Sequence, residues 1–292
     1  MRTTFRAKQP YTDILMKAAD KFVLNSPAKP VRFIEKMIQN KGVFGKPDTD
    51  GLQRKNPVIV GFGDSVTAGR FEDLISWSPL LIKKLQDIVL SSELFSSFDD
   101  DMPTIEISDC RESYLEKFRN MLIDKYEQTS VSVINAGIAG DNLIEMEKRA
   151  ERDIIRYQPD LVLINGSLNW HISLGSADFY KALLRRIVQR IKNETTADII
   201  LLTPNGALPN KLLFGENAQM PDVSERAQKI REVAEEEHVC LADVFAVWEN
   251  AKEDGCPWER ILANGINHPG VEGHEVYAMI LMKLFEEQFR LA

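Results

Sequence analysis

Four short blocks of this chain place a hydroxyl, bare backbone donors, an amide and an imidazole at intervals that chemistry could use. They are Gly63-Asp64-Ser65-Val66-Thr67-Ala68-Gly69, Asn135-Ala136-Gly137-Ile138-Ala139-Gly140-Asp141, Asn165-Gly166-Ser167-Leu168-Asn169-Trp170-His171 and Asn264-Gly265-Ile266-Asn267-His268-Pro269, the last followed by Gly273-His274. A serine at a tight turn between strand and helix presents its hydroxyl at the sheet edge, with its own N–H near a helix N-terminus, where anions are stabilised. That is the expectation for Ser65. Gly140 can offer a second N–H, because glycine lets a substrate approach the backbone, and the Asn169 amide a third. Three donors converging beside a hydroxyl form an oxyanion hole, and losing one such donor typically costs ~2.7–4 kcal/mol of transition-state stabilisation. His268 is then the natural general base.

Competing motifs fail at particular positions. Gly61-Phe62-Gly63 begins like a dinucleotide fingerprint, but Val66 stands where its third glycine should be. The Ser65 block lacks the closing glycine of the α/β-hydrolase elbow, and no Walker lysine is present. His268 and His274 are six residues apart, about 240° around a helix, so they share no ligating face and no metal site is expected.

These blocks need a scaffold that brings them to one edge. The apolar runs Val58–Phe62, Val131–Ile134, Leu161–Ile164, Ile199–Leu202 and Val239–Ala242 are unbroken and rich in Val and Ile. That is the pattern of parallel strands covered on both faces. Helical candidates lie between them at about 113–127, 142–157, 176–194 and 222–236, with a last one from about 270 to 289. In the third, Phe179, Leu183, Ile187 and Ile191 recur at four-residue steps, on one face. Strand and helix alternating in this way predict a doubly wound α/β sandwich with about five parallel strands. In such sheets ligands bind beyond the carboxyl ends of the strands, which is where the first three blocks fall.

Composition narrows the class of partner. The 292 residues are 44% hydrophobic and 27% charged, which suits a folded protein with a full-sized core. No run of 18 apolar residues exists and the first thirty residues lack a signal-like apolar stretch, so no membrane span and a cytoplasmic location are expected. The net charge of −8 argues against nucleic acid as a partner. Cys110, Cys240 and Cys256 form no CxxC pair and read as reduced thiols.

The charge is uneven: residues 1–55 carry 12 Lys and Arg against 5 Asp and Glu, and the remainder 24 against 39. Residues 1–55 therefore read as a basic extension and linker, with residues 56–292 as the main domain. The preferred reading is an arm lying on the acidic body, in cis or on a second subunit of a homo-oligomer. A stretch from about 71 to 111 is long for a connection. It contains a helical segment with Leu81, Leu85 and Ile88 on one face, and is expected either as a crossover packed on the sheet or as a lid over the site.

Taken together, the four blocks resemble the SGNH hydrolase superfamily, the GDSL-type esterases and lipases, over roughly residues 56–290. The resemblance implies a flavodoxin-like three-layer α/β/α sandwich with a five-stranded parallel sheet. It also implies Ser65 as nucleophile, the Ser65 N–H with Gly140 and Asn169 as oxyanion hole, and His268 as base, with Asp64 structural. No metal or organic cofactor is required, and the partner is a small-molecule ester. Two blocks depart from the family pattern. The third usually reads Gly-x-Asn-Asp, whereas here Ser167 and Trp170 flank Asn169, so Trp170 and His171, with Arg70 beyond the serine turn, are expected as a substrate wall. The last usually carries Asp three residues before the histidine, where this chain has Gly265. If Asn267 is an insertion, Asn264 takes the acid's place as an uncharged partner of His268, with a backbone carbonyl or Asp243, Asp254 or Glu259 as substitutes. The activity implied is hydrolysis of short acyl esters, acetyl esters of carbohydrates among them. Alternatives are a lysophospholipase or thioesterase on longer chains, and a non-catalytic carbohydrate-binding member of the fold.

Overall fold

In the computed structural model, which describes residues 9–39, 56–72, 106–108, 110–127, 130–209 and 222–286, the apolar runs pair as a parallel sheet. The strands are β1 (Val58–Gly63), β2 (Arg70–Glu72), β3 (Glu106–Ser108), β4 (Ser132–Gly137), β5 (Leu161–Asn165), β6 (Asp198–Leu202) and β7 (Cys240–Ala242). Five of them form the sheet in the order β4-β1-β5-β6-β7, all parallel, and β2 pairs with β3 in an antiparallel ribbon. The unbroken apolar runs follow from burial on both sides. Ile59, Leu161, Leu163, Ile200 and Leu202 enter one core, while their neighbours Val60, Phe62, Val162, Ile164, Ile199 and Leu201 enter the other. β4 lies at the edge, and only there do exposed residues, Ser132 and Asn135, interrupt the run.

The helices are α1 (Gln9–Lys21), α2 (Val31–Gln39), α3 (Ser65–Ala68), α4 (Tyr114–Tyr126), α5 (Leu143–Asp153), α6 (Ala177–Glu194), α7 (Val223–Glu237), α8 (Val244–Glu253) and α9 (Val271–Lys283). Side-chain caps fix several starts: Ser113 accepts from the Glu116 N–H, Asn142 from Ile144 and Ser176 from Phe179. Each cap of this kind contributes about 1 kcal/mol. α1, α2, α4, α8 and α9 cover one face of the sheet, with α5, α6 and most of α7 on the other. The result is the three-layer α/β/α sandwich. In α6 the buried stripe is Tyr180, Leu183, Leu184, Ile187, Val188 and Ile191, whereas Phe179 is 42% exposed. Steps of four advance 40° beyond a full turn, so the expected four-residue series drifts off the core face and Tyr180 takes the first place.

Residues 9–39 of the basic extension are built into the first layer, where Leu15, Ala19, Phe33 and Met37 are fully buried. α2 is fastened to the amino edge of the sheet. The Phe33 N–H donates to the Asp198 carboxylate at 2.9 Å. Lys36 pairs with Asp160, whose other oxygen accepts the Val58 N–H at 2.8 Å. The basic segment therefore contacts the acidic body in cis, at the edge opposite the serine block. The linker expected at the end of the 1–55 extension falls within residues 40–55, outside the described residues. Most of the 71–111 stretch with Leu81, Leu85 and Ile88 also lies outside them; its base is the β2–β3 ribbon, with Arg70 opposite Ser108. Among the described residues no helix is long and apolar enough to cross a membrane.

Candidate active site

The carboxyl ends of β1, β4 and β5 deliver the first three blocks to one edge. Ser65 is the first residue of the one-turn helix α3, which Asp64 caps by accepting the Val66 N–H at 3.0 Å. The turn is tight enough to demand glycine before it. A Cβ on Gly63 would lie 2.2 Å from Thr67 Oγ1 and 2.3 Å from the Asn165 carbonyl oxygen. Such contacts do not occur between real atoms, so a side chain at residue 63 would force Thr67 of the serine turn or the end of β5 to move.

Ser65 Oγ and His268 Nε2 are 2.8 Å apart, and both residues are buried. The segment carrying His268 is shaped by a second set of bonds. Asn264 Oδ1 accepts the backbone N–H groups of Ile266, Asn267 and His268 at 3.0, 2.9 and 2.9 Å, and its amide donates to Asn267 Oδ1. The His268 carbonyl accepts from the Ala263 N–H at 2.8 Å. Asn264, expected as the partner of the imidazole, thus has its acceptor filled by three backbone donors, more than its two lone pairs hold ideally. It builds the loop and positions His268 through the main chain.

A residue absent from the sequence reading completes this mooring. Asn205, in the segment after β6, donates to the Asn267 carbonyl at 2.9 Å, and its N–H and Oδ1 meet the Tyr277 hydroxyl at 2.7 and 3.0 Å. The Leu208 N–H donates to the Ile266 carbonyl at 2.7 Å. Tyr277 stacks on Tyr114, whose hydroxyl meets Thr67 Oγ1 at 2.9 Å, so bonded and stacked residues link the histidine loop to the serine turn. The signal was available: Thr203-Pro204-Asn205-Gly206 follows the fourth strand, at the same carboxyl edge as the other blocks.

Gly140 has φ +83°, and a Cβ there would meet nothing within 4 Å. Its backbone therefore stands beside open space, in a conformation that other residues adopt only with strain. The Asn169 amide donates one N–H to the Asp141 carbonyl at 3.0 Å, which ties it to the loop of Gly140. An amide carries two N–H donors, so this bond can orient the second.

Of the three residues expected as a substrate wall, the side chains of Trp170 and His171 are described. Trp170 is 5% exposed, donates its indole N–H to the Gly175 carbonyl at 3.1 Å and packs against Phe179 and Tyr180. An aromatic ring so enclosed serves the core, and the expectation that it faces substrate is corrected. His171 is exposed, with Nδ1 3.2 Å from Ser173 Oγ. Arg70 opens β2, and its side chain lies outside the described residues.

Asp64 is fully buried, and burial pushes its carboxyl from 3.8 up to about 6. The Val66 N–H, the charge of His268 and the Leu168 N–H pull it back down, while Asp141 adds to the rise. A carboxyl beside the candidate nucleophile therefore titrates close to neutrality. Among the described residues no cluster of three His, Cys, Asp or Glu side chains could hold a metal ion.

A parallel sheet of this order, with a serine and a histidine hydrogen-bonded at its carboxyl edge, has the arrangement of an SGNH, or GDSL-type, hydrolase. The GDSL-like Lipase/Acylhydrolase family matches residues 62–276, and the chain belongs to that family of ester hydrolases. An acetylxylan esterase from Geobacillus stearothermophilus is 26% identical over 175 residues, covering 54% of this chain and 74% of that protein. Among solved structures, a catalytic mutant of Axe2, an acetylxylan esterase from the same organism, superposes with a TM-score of 0.54 at 20% identity, over 82% of this chain and 100% of that one. LAE5, an alpha/beta hydrolase enzyme from the metagenome of Lake Arreo, Spain, gives 0.54 at 21% identity, over 78% and 94% of the two chains. These structural likenesses establish the shared fold.

Proposed function

We propose that the chain hydrolyses short-acyl carboxylic esters, with acetyl esters of carbohydrates as the leading substrate class, through an acyl-enzyme on Ser65. The observation that carries this reading is the 2.8 Å contact between Ser65 Oγ and His268 Nε2. In the proposed cycle His268 takes the Ser65 proton as Oγ attacks the acyl carbonyl. The resulting oxyanion is held by the N–H groups of Ser65 and Gly140 and by the second amide N–H of Asn169. Collapse of the intermediate expels the alcohol, protonated by His268, and water activated by the same imidazole then releases the acid. With the Asn264 amide committed to the loop, the buried Asp64 carboxylate, whose charge interacts with His268, supplies negative charge to the imidazolium.

The preference for acetyl esters rests on the acetylxylan esterase relative. It is tested by comparing acetyl, butyryl and octanoyl p-nitrophenyl esters and by measuring acetate release from acetylated xylooligosaccharides. A kcat/KM that falls at least about tenfold from acetyl to octanoyl, with release of acetate from the oligosaccharides, is expected, a discrimination within reach of a pocket that excludes several methylenes. The opposite order would favour the longer-chain alternative.

A further inference from the structure

Arg149 belongs to none of the four motif blocks, yet its side chain bonds to two of them and reaches a third through Asp141. It sits on α5 and is 8% exposed, with its guanidinium 4.4 Å from the centre of the Phe62 ring. Nε donates to Asp141 Oδ2 at 2.6 Å. Nη1 donates to the Ala136 carbonyl at 2.7 Å and to Asp153 Oδ2 at 2.8 Å. Nη2 donates to the Gly63 carbonyl at 2.8 Å. The Gly63 carbonyl also accepts the Ile138 N–H at 3.0 Å, and the Asp141 carbonyl accepts the Asn169 amide at 3.0 Å. One planar group thus reaches the end of β1 two residues before Ser65, the end of β4, and the residue next to Gly140. Through Asp141 it also acts on Asn169.

We propose that Arg149 is a positioning residue that sets the Gly140 and Asn169 donors in register with the Ser65 hydroxyl; this rests on the esterase reading above. Two physical arguments separate this role from simple stabilisation. A buried ion pair is often matched or bettered in stability by apolar residues of similar volume, so stability alone gives little reason for a guanidinium here. Arginine also presents its donors in a rigid fork, whereas lysine is a compact charge on a flexible stem and cannot hold three segments at fixed angles. The main chain joins Gly63 to this loop through Ile138, whose N–H donates to the Gly63 carbonyl and whose carbonyl accepts the Asp141 N–H at 3.2 Å, but that path does not hold the Asp141 side chain. The fork supplies that link, and a shift of about 1 Å in such an arrangement can cost about 10²-fold in rate.

The test uses Arg149→Lys in the full chain. The fraction of competent protein is counted by complete fluorophosphonate labelling, and kcat and KM on an acetyl ester are expressed per labelled site. The proposal expects kcat to fall at least about 30-fold while KM stays within about threefold, because the lost interaction matters in the transition state. Inhibition by a methylboronic acid, whose tetrahedral oxygen occupies the same donors, should weaken by a similar factor. Arg186→Gln, which breaks an exposed pair with Glu147, should match wild type in all three readings. A kcat per site within threefold of wild type in Arg149→Lys overturns the proposal, whatever the loss in melting temperature. Should that variant not fold, Asp141→Ala removes the acceptor of Nε, and with it the link to the Gly140 loop, while keeping the main-chain carbonyl that Asn169 uses. The proposal then expects the same drop in kcat, and unchanged kcat overturns it. Wild type without turnover on any ester would overturn the esterase reading itself, whereas an active wild type matched by the variants overturns only the role of Arg149.

Discussion

Replacing Asp64 with asparagine should make the protein's stability less sensitive to pH in a calculable way. The carboxyl moves from 3.8 to about 6 on folding, chiefly because burial disfavours its charge. The sign follows from proton counting: between these values the folded state binds more protons than the unfolded chain, so stability falls as pH rises. The stability associated with the neutral carboxyl is fully present below 3.8 and is lost as pH rises through about 6. A shift of about two pH units corresponds to about 3 kcal/mol at ~1.4 kcal/mol per unit. Asparagine brings its own offset, because an amide donates where a carboxylate oxygen stood, but that offset does not titrate. Urea unfolding of wild type and Asp64→Asn at pH 4 and pH 8 therefore isolates the ionisation as a difference of differences. Because the unfolded carboxyl is already partly ionised at pH 4, the variant should gain about 2 kcal/mol relative to wild type in going from pH 4 to pH 8. A mutant-minus-wild-type difference that stays constant across that window would refute the reasoning. The same substitution should lower kcat above pH 6 if Asp64 supplies charge to the His268 imidazolium, the pattern of a residue that trades stability for function.

Gly140→Ala should lower kcat by about 10- to 100-fold in steady-state assays with little change in KM, because φ +83° costs alanine roughly 1–2 kcal/mol and relaxing that strain moves the N–H. An alanine variant with wild-type kcat would remove Gly140 from the oxyanion hole. Trp170→Phe should lose about 1–3 kcal/mol of stability in denaturant titrations, through the severed bond to the Gly175 carbonyl and a looser fit, with KM for an acetyl ester within about twofold. A raised KM at unchanged stability would instead put the indole in the substrate site.

The architecture was legible because its strongest signals are physical necessities. Strands buried on both faces must be apolar throughout, and all five runs were found on that ground, with the sheet order matching the expected fold. α8 went unseen because its apolar residues, Val244, Phe245, Val247 and Trp248, directly follow β7 and read as part of the strand region. Phe179 misled because a four-residue repeat imitates the helical period over a short span but drifts from it.

At the site, Ser65 and His268 could be found from residue type and position, and the structure brings them into contact. Asn205 is open to the same argument from its place after β6, but Tyr277 and Arg149 are not. Tyr277 is distant in sequence from Asn205 and Arg149 from Gly63, and tyrosine and arginine occur so often that only their bonds distinguish them. Asn264 shows the converse. Its place in the motif suggests a partner for the imidazole, whereas an amide oxygen with three backbone N–H groups within reach closes on its own loop first.

The claim on which the rest depends is that Ser65 is an activated nucleophile. Intact-mass analysis after exposure to a fluorophosphonate, on wild type and Ser65→Ala, tests it most directly. The expected result is one adduct per wild-type chain and none on the variant. Folded wild-type protein that takes up no reagent, or an adduct that persists in Ser65→Ala, would contradict it.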